Sequence, residues 1–249
     1  MALGRFPEHQ EVRNLFRGKM ENIRFIFFDA VGTLFKVKGS VGDIYANVAK
    51  NYGVKLSAND LNDSFKTVFK NAPPLCFPGV SPKNLFVYEK NWWQNLVEKI
   101  IPINTFSSND QFNEFFETLF NVFAKGSSWE LFPDTHPTLN GLKEIGIRMG
   151  IISNFDSRLL KILDELKIST FFEKVICSTK IGFAKPQLEI FQKAMPNDLT
   201  PDQIAMVGNE LKIDILPANQ FQMSGIWLNR KGYPTKEIPN QIRSLTELL

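Results

Sequence analysis

Cysteine and histidine are scarce, two of each in 249 residues, which argues against a disulfide framework and against a cluster of soft metal ligands. Cys76 and Cys177 lie far apart and read as free thiols of a reducing compartment. No apolar run approaches the ~18 residues that a membrane-spanning helix needs. Residues 1–24 carry charge too often for an apolar signal core, and Glu8, Glu11 and Glu21 argue against an acid-poor transit peptide, so a cytoplasmic location is expected. There are no blocks of like charge either. Twenty-nine basic residues against 26 acidic leave +3, without the electrostatic footprint of a nucleic-acid binder. What is abundant is phenylalanine, 23 against four tyrosines and four tryptophans. Seven of them fall between Phe106 and Phe132 at helical spacing and three between Phe25 and Phe28. Phenylalanine has no polar handle, so two buried cores are expected. At roughly 150 residues per domain the length suits one or two domains.

Residues 25–28, Phe-Ile-Phe-Phe, form a continuous apolar run that stops at Asp29. That is the pattern of a strand buried on both faces, as in a helix-covered parallel sheet. Similar runs recur at 149–152, 204–207 and 225–228, separated by amphipathic stretches at 157–166, 186–194 and 210–221. Strand alternating with helix predicts an α/β fold with a Rossmann-like, three-layer parallel sheet. Residues 41–129 have helical periodicity and no convincing buried strand. Ser57 with Asp60, Ser81 before Pro82, and Ser108 with Gln111 mark helix starts. The expected organisation is a core from 20–37 and 133–249, interrupted by an α-helical cap domain at 38–132. That insert holds nine lysines, nine acidic residues and no arginine.

Chemistry concentrates where strands end. Asp29 follows the first run, and Gly32 lets the backbone turn away behind it. Ser153 and Asn154 close the second run with a hydroxyl and an amide that can donate to an anion, although both also suit a turn that opens a helix. Lys185 precedes Pro186 and a helix, where it can neutralise a transferred anionic group or simply be solvated. Gly208, Asn209 and Glu210, with Asp214 four residues on, follow the third run and place acid near a helix start. His136 reads as a hinge or cap residue. Trp92 and Trp93 read as packing or substrate contact, and the charge-free loop 71–82 as a segment facing the site.

The order Asp29, Ser153-Asn154, Lys185-Pro186, Gly208-Asn209 and Asp214, each behind a strand, resembles the haloacid dehalogenase-like hydrolase superfamily of phosphatases, phosphomutases and dehalogenases. The resemblance covers residues 23–230, and the helical insert is similar to that superfamily's first-type cap. It implies a covalent mechanism in which Asp29 attacks the substrate, Ser153 holds phosphoryl oxygens, and Lys185 balances their charge. It also implies magnesium held by Asp29, by the main-chain carbonyl of Val31 and by the fourth motif, here Asn209 and Asp214. The expected partner is a small phosphorylated metabolite, with neither nucleic acid nor membrane involved. Nothing in the pattern favours a monomer over a homodimer.

Two positions depart from the family. Val31 stands where phosphatases carry the aspartate that protonates the leaving oxygen, a loss of about 10²–10⁴-fold. Asn209 stands where a metal-binding aspartate is usual, which weakens magnesium affinity unless Glu210 substitutes. The leading reading is a slow magnesium-dependent phosphatase, or one suited to a good leaving group. The alternatives are an eroded binding or interaction protein on the same scaffold, and a metal-free 2-haloacid dehalogenase. The dehalogenase reading lacks the cap arginine that would face the halide.

Overall fold

The computed structural model describes residues 21–233 and 240–249. Most of the segment read for targeting signals, Glu8 and Glu11 included, lies outside them. Strand β1 (Phe25–Phe28) is wholly buried, and its side chains alternate between the two faces of a sheet. Phe25 and Phe27 pack with Ile190, Phe191 and Ala218, while Ile26 and Phe28 pack with Leu139, Leu159 and Ile162. The expected single sheet core is therefore two cores, because a sheet covered by helices on both sides divides its own hydrophobic interior.

The chain then forms β2 (Phe35–Val37) and enters four helices, α1 (Val41–Lys50), α2 (Ala58–Lys70), α3 (Pro82–Ile100) and α4 (Asn109–Phe123). It returns through β3 (Trp129–Leu131), which pairs antiparallel with β2. This ribbon lies in segments whose sequence reads as turn-rich edges. Three residues per strand are too few to show a period, and the pairing is fixed by Phe35 against Trp129, whose rings meet edge to face at 5.4 Å. Alternating helices α5 (Thr135–Glu144), α6 (Leu159–Glu165), α7 (Ser178–Ile181), α8 (Leu188–Ala194) and α9 (Leu216–Gln220) accompany β4 (Arg148–Ser153), β5 (Lys174–Cys177), β6 (Ile204–Gly208), β7 (Ser224–Leu228) and the short β8 (Gln241–Ile242). The order across the sheet is β5-β4-β1-β6-β7-β8, with every neighbouring pair parallel. The fold is Rossmann-like α/β. The four strands expected from the apolar runs are its centre. The edge strands β5 and β8 were not legible, since β5 is mostly half-buried and β8 has two residues.

The helices between β2 and β3 enclose a third core, in which Phe106, Phe112, Phe115, Phe116 and Phe120 are all buried. Their starts follow the expected caps. Ser57 accepts from the Asp60 amide at 3.4 Å and Ser108 from that of Gln111 at 3.1 Å. The reciprocal bond of Gln111 goes to the amide of Ser107, at 2.9 Å, one residue earlier than a capping box places it. Among the described residues no helix is long and apolar enough to cross a membrane.

Phe115 is fully buried and meets the rings of Tyr52, Phe106 and Phe112. Truncation to alanine is expected to cost about 3–5 kcal/mol, measured as a drop in ΔG of urea unfolding. A loss below about 1 kcal/mol would show that this core does not hold the helices together.

Candidate active site

Parallel register delivers the polar residues to one edge. Phe28 is level with Ile151 of β4 and with Val207 of β6, so Asp29, Ser153-Asn154 and Asn209 emerge together where the strand order switches direction. Asp29 is fixed through its own amide, which donates to the Val207 carbonyl at 2.8 Å. Gly32 behind it has φ +92°, and a Cβ there would lie 2.8 Å from the Asn209 side chain. Glycine is therefore demanded both by conformation and by the approach of Asn209. Arg230 braces the same loop, donating at 2.8 Å to the Thr33 carbonyl while it pairs with Asp134.

Lys185 is 4% exposed. Its ammonium donates to Asp29 Oδ1 at 2.7 Å, Asp214 Oδ1 at 2.7 Å and the Ile152 carbonyl at 2.8 Å, so its three hydrogens have three acceptors. Burial alone would lower its pKa, but the two carboxylates outweigh that and raise it. One cation facing two anions leaves an excess negative charge. Asp214, fully buried and also repelled by Asp29, is accordingly pushed up to about 6 in spite of Lys185. Glu210 is raised as well, by burial and then by the charge of Asp29.

Several residues expected from sequence take different partners. The side chain of Asn154 does not turn toward an incoming anion. Its Nδ2 donates to the Lys185 carbonyl and its Oδ1 accepts from the Lys185 amide, both at 2.8 Å, because a planar amide matches both groups of one residue's backbone. It is thus a clasp that positions Lys185. Asp214, expected among metal ligands, has Oδ1 on Lys185 and Oδ2 on the Glu210 amide at 2.9 Å. A π-helical turn at Leu211–Ile215 aims it inward where a single crossover helix was expected. Asn209 Oδ1 accepts from the Thr33 hydroxyl at 3.1 Å. Ser153 is buried, lines the cavity, and its hydroxyl has no hydrogen-bond partner among the described residues.

These groups form the floor of a cavity of about 710 Å³ between the sheet edge and the helices. Asp29, Val31, Ser153, Lys185, Asn209 and Glu210 all line it. Trp92 and Trp93 belong to its wall, as do residues 72–75 of the charge-free loop, but Cys76, Phe77 and His136 do not. Burial also raises the Cys76 thiol, a backbone bond to Ala184 notwithstanding. The oxygens of Asp29, Val31, Asn209 and Glu210 are hard donors of the kind magnesium takes, and the raised Glu210 marks a place where a cation would relieve carboxylate repulsion. Among the described residues no three His, Cys, Asp or Glu side chains form a metal cluster, so an amide and a carbonyl must supply part of any such set.

Sequence reasoning missed the polar ties between helices and sheet. Glu89 of α3 is fully buried and accepts from the Ser157 amide at 2.9 Å, the Ser157 hydroxyl at 2.5 Å and the Thr179 hydroxyl at 2.5 Å. One turn on, Trp93 donates to Asp156 Oδ2 at 2.6 Å. Asp156 in turn holds Arg158, which also donates to the Phe120 carbonyl at 3.1 Å. The available signal was an acid one helical turn before a tryptophan, on an otherwise apolar face.

Known proteins resemble this chain in sequence and in fold. The model of the haloacid dehalogenase-like hydrolase family matches residues 23–222. Haloacid dehalogenase-like hydrolase domain-containing protein 3 of Xenopus laevis is 28% identical over 214 residues, 86% of this chain and 87% of that protein. A glyceraldehyde 3-phosphate phosphatase of Methanothermobacter thermautotrophicus is 40% identical over 100 residues, 39% of this chain and 44% of its own. In fold, the chain is similar to YfnB of Bacillus subtilis, solved bound to magnesium, with a TM-score of 0.68 at 18% identity, covering 91% of this chain and 96% of the other.

The Lys185 cluster has a pH signature. Since Asp214 holds its proton more tightly folded than unfolded, its contribution to stability falls as pH rises from about 4 to about 6. The raised Lys185 contributes fully until pH passes above the ordinary lysine range. Lys185→Met strands two buried carboxylates and is expected to cost about 3–5 kcal/mol at pH 7.5, and less at pH 5, where Asp214 takes up a proton. Urea denaturation at both pH values measures this. An equal loss at both would mean that the cluster is not electrostatically coupled.

Proposed function

This chain belongs to the haloacid dehalogenase-like hydrolase family, and we propose that it is a phosphatase that works through a phosphoryl intermediate on Asp29. The observation that carries the reading is the Lys185 cluster at the cavity floor. A carboxylate whose Oδ1 is held by a buried ammonium, and whose Oδ2 has only the Thr33 hydroxyl at 3.4 Å, is oriented with one oxygen available. That oxygen attacks phosphorus, the bond to the leaving oxygen breaks, and water then cleaves the acyl phosphate. Ser153, its hydroxyl unpartnered in the cavity, donates to a phosphoryl oxygen. Lys185 offsets the negative charge that accumulates between carboxylate and phosphoryl group, and Asn154 keeps the lysine backbone in place.

Asp29, the Val31 carbonyl and Asn209, with Glu210 beside them, would hold magnesium, which when bound supplies positive charge to the phosphoryl oxygens. The helical insert, with its own core and its ties through Glu89 and Arg158, is read as the cap that encloses the substrate. The partial match to a glyceraldehyde 3-phosphate phosphatase supports phosphate ester chemistry. The dehalogenase alternative is not favoured. Arg158 is the buried guanidinium at the cavity wall, and its charge is already committed to Asp156. A non-catalytic scaffold has no need of a nucleophile, its ammonium partner and a free serine hydroxyl around one cavity.

Phosphate release from a panel of phosphate monoesters, with and without magnesium, tests the reading. Asp29→Asn should lower kcat by about 10³-fold or more, and activity indifferent to that change rejects the nucleophile. Val31→Asp supplies a carboxyl beside the nucleophile and should raise kcat on simple alkyl phosphates by about 10²-fold. No gain in a folded variant would show that protonation of the leaving group does not limit the reaction.

A further inference from the structure

The cavity is far larger than a phosphate, and its walls are mostly aromatic and aliphatic, with Lys66 and Lys70 also lining it. Above the polar floor stand Tyr45, Phe65, Trp93, Phe116, Phe120 and Trp129. The guanidinium of Arg158 lies over this wall, 3.9 Å from the Phe120 ring centre, with three of its five N–H groups donating to Asp156 and the Phe120 carbonyl. A leaving group rich in hydroxyls would exchange water for rings and leave those hydroxyls unpaired, at a cost per group that mounts quickly. A flat aromatic body instead meets edge-to-face partners on several sides.

The wall also carries an unpartnered hydroxyl. Tyr45 of α1 is 2% exposed and lines the cavity, yet its hydroxyl has no hydrogen-bond partner among the described residues. The buried side-chain atoms without a partner among the described residues are Thr138 Oγ1 and Arg230 Nε, so the Tyr45 hydroxyl is not sealed off but open to the cavity, where a ligand acceptor can meet it. Burial raises its pKa, although Arg158 opposes the shift, so at neutral pH it is a neutral donor.

The position of Val31 narrows the leaving group further. Without an acid beside Asp29, the leaving oxygen must depart as an anion. An aromatic hydroxyl has a pKa of about 10, as in tyrosine, whereas an alcohol lies near the ~16 of water. Departure of an aryl oxide needs no proton from the protein.

We propose that the cavity is built for aryl phosphates, monoesters of an aromatic hydroxyl compound that carries a hydrogen-bond acceptor within reach of Tyr45. The assignment rests on the phosphatase reading for its chemistry and on the cavity for its recognition. Asp29 forms the bond to phosphorus as the aryl oxide leaves with the electron pair of the broken P–O bond. Water then releases hydrogen phosphate and regenerates the carboxylate, and the proton set free in that step neutralises the aryl oxide in solvent.

Two measurements separate recognition from chemistry. Calorimetry on Asp29→Asn should find 1-naphthyl phosphate bound at least tenfold tighter than inorganic phosphate or glycerol 1-phosphate, and equal affinities overturn the assignment. Tyr45→Phe in that background should weaken 4-methylumbelliferyl phosphate, whose lactone offers an acceptor, about five- to tenfold more than 1-naphthyl phosphate. Equal losses remove Tyr45 from the site. On the unmutated protein, kcat across substituted phenyl phosphates should fall steeply as the phenol pKa rises, and more gently in Val31→Asp. A flat series overturns the leaving-group argument. Tight aryl phosphate binding without any turnover supports the recognition assignment while rejecting the phosphatase reading. Turnover of glycerol 1-phosphate with equal affinity does the reverse.

Discussion

The site depends on one buried ammonium. Lys185 reaches from the segment before α8 to the end of β1, the end of β4 and the π-helical turn after β6. Three parts of the chain distant in sequence therefore share a single cation. Taking a lysine and two aspartates out of water is costly, and their mutual attraction offsets that only when geometry is good and every donor is used. Here every donor is used, and the amide of Asn154 holds the lysine backbone so that the geometry does not drift. Burial and charge together set the acid–base character of the floor. Burial, and then the charge of Asp29, push Asp214 up to about 6 against the pull of Lys185, and Glu210 is raised by burial and by Asp29.

The central fold was legible because β1, β4, β6 and β7 are apolar on both faces and each ends in a polar residue. The sequence pattern and the burial requirement are there the same fact. Asp29, Ser153, Lys185 and Asn209 could be brought to one edge from strand order alone. Side-chain direction could not. Asn154 is equally suited by type to donate to an anion or to bridge a backbone, and only the position of Lys185 decides between them. Asp214 depends on a π-helical turn, which leaves no period in five residues. Edge strands β5 and β8 escaped for a related reason, since an edge strand needs less apolar surface and their pairing comes from neighbours already in place.

The ties between the helices and the sheet are of another kind. Glu89 carries a buried carboxylate across to Ser157 and Thr179, and Trp93, Asp156 and Arg158 form a second link beside it. Buried polar contacts are directional, so they fix how the helices sit over the floor where apolar packing alone would tolerate sliding. The β2–β3 ribbon controls where the chain leaves and returns, whereas these links control the orientation of what lies between. The cavity keeps its shape because both restraints act on the same helical unit.

The separation of a phenylalanine-filled helical core from the sheet has an evolutionary consequence. Phenylalanine makes no hydrogen bonds that a substitution could orphan, so rings that line the cavity can be exchanged for other apolar side chains at modest cost. The polar floor belongs to strand ends with a different core behind them, and changes at well-separated sites combine nearly independently. Ligand preference in this architecture can therefore drift while the reactive groups stay fixed, and divergence among descendants is expected to accumulate first in the helices.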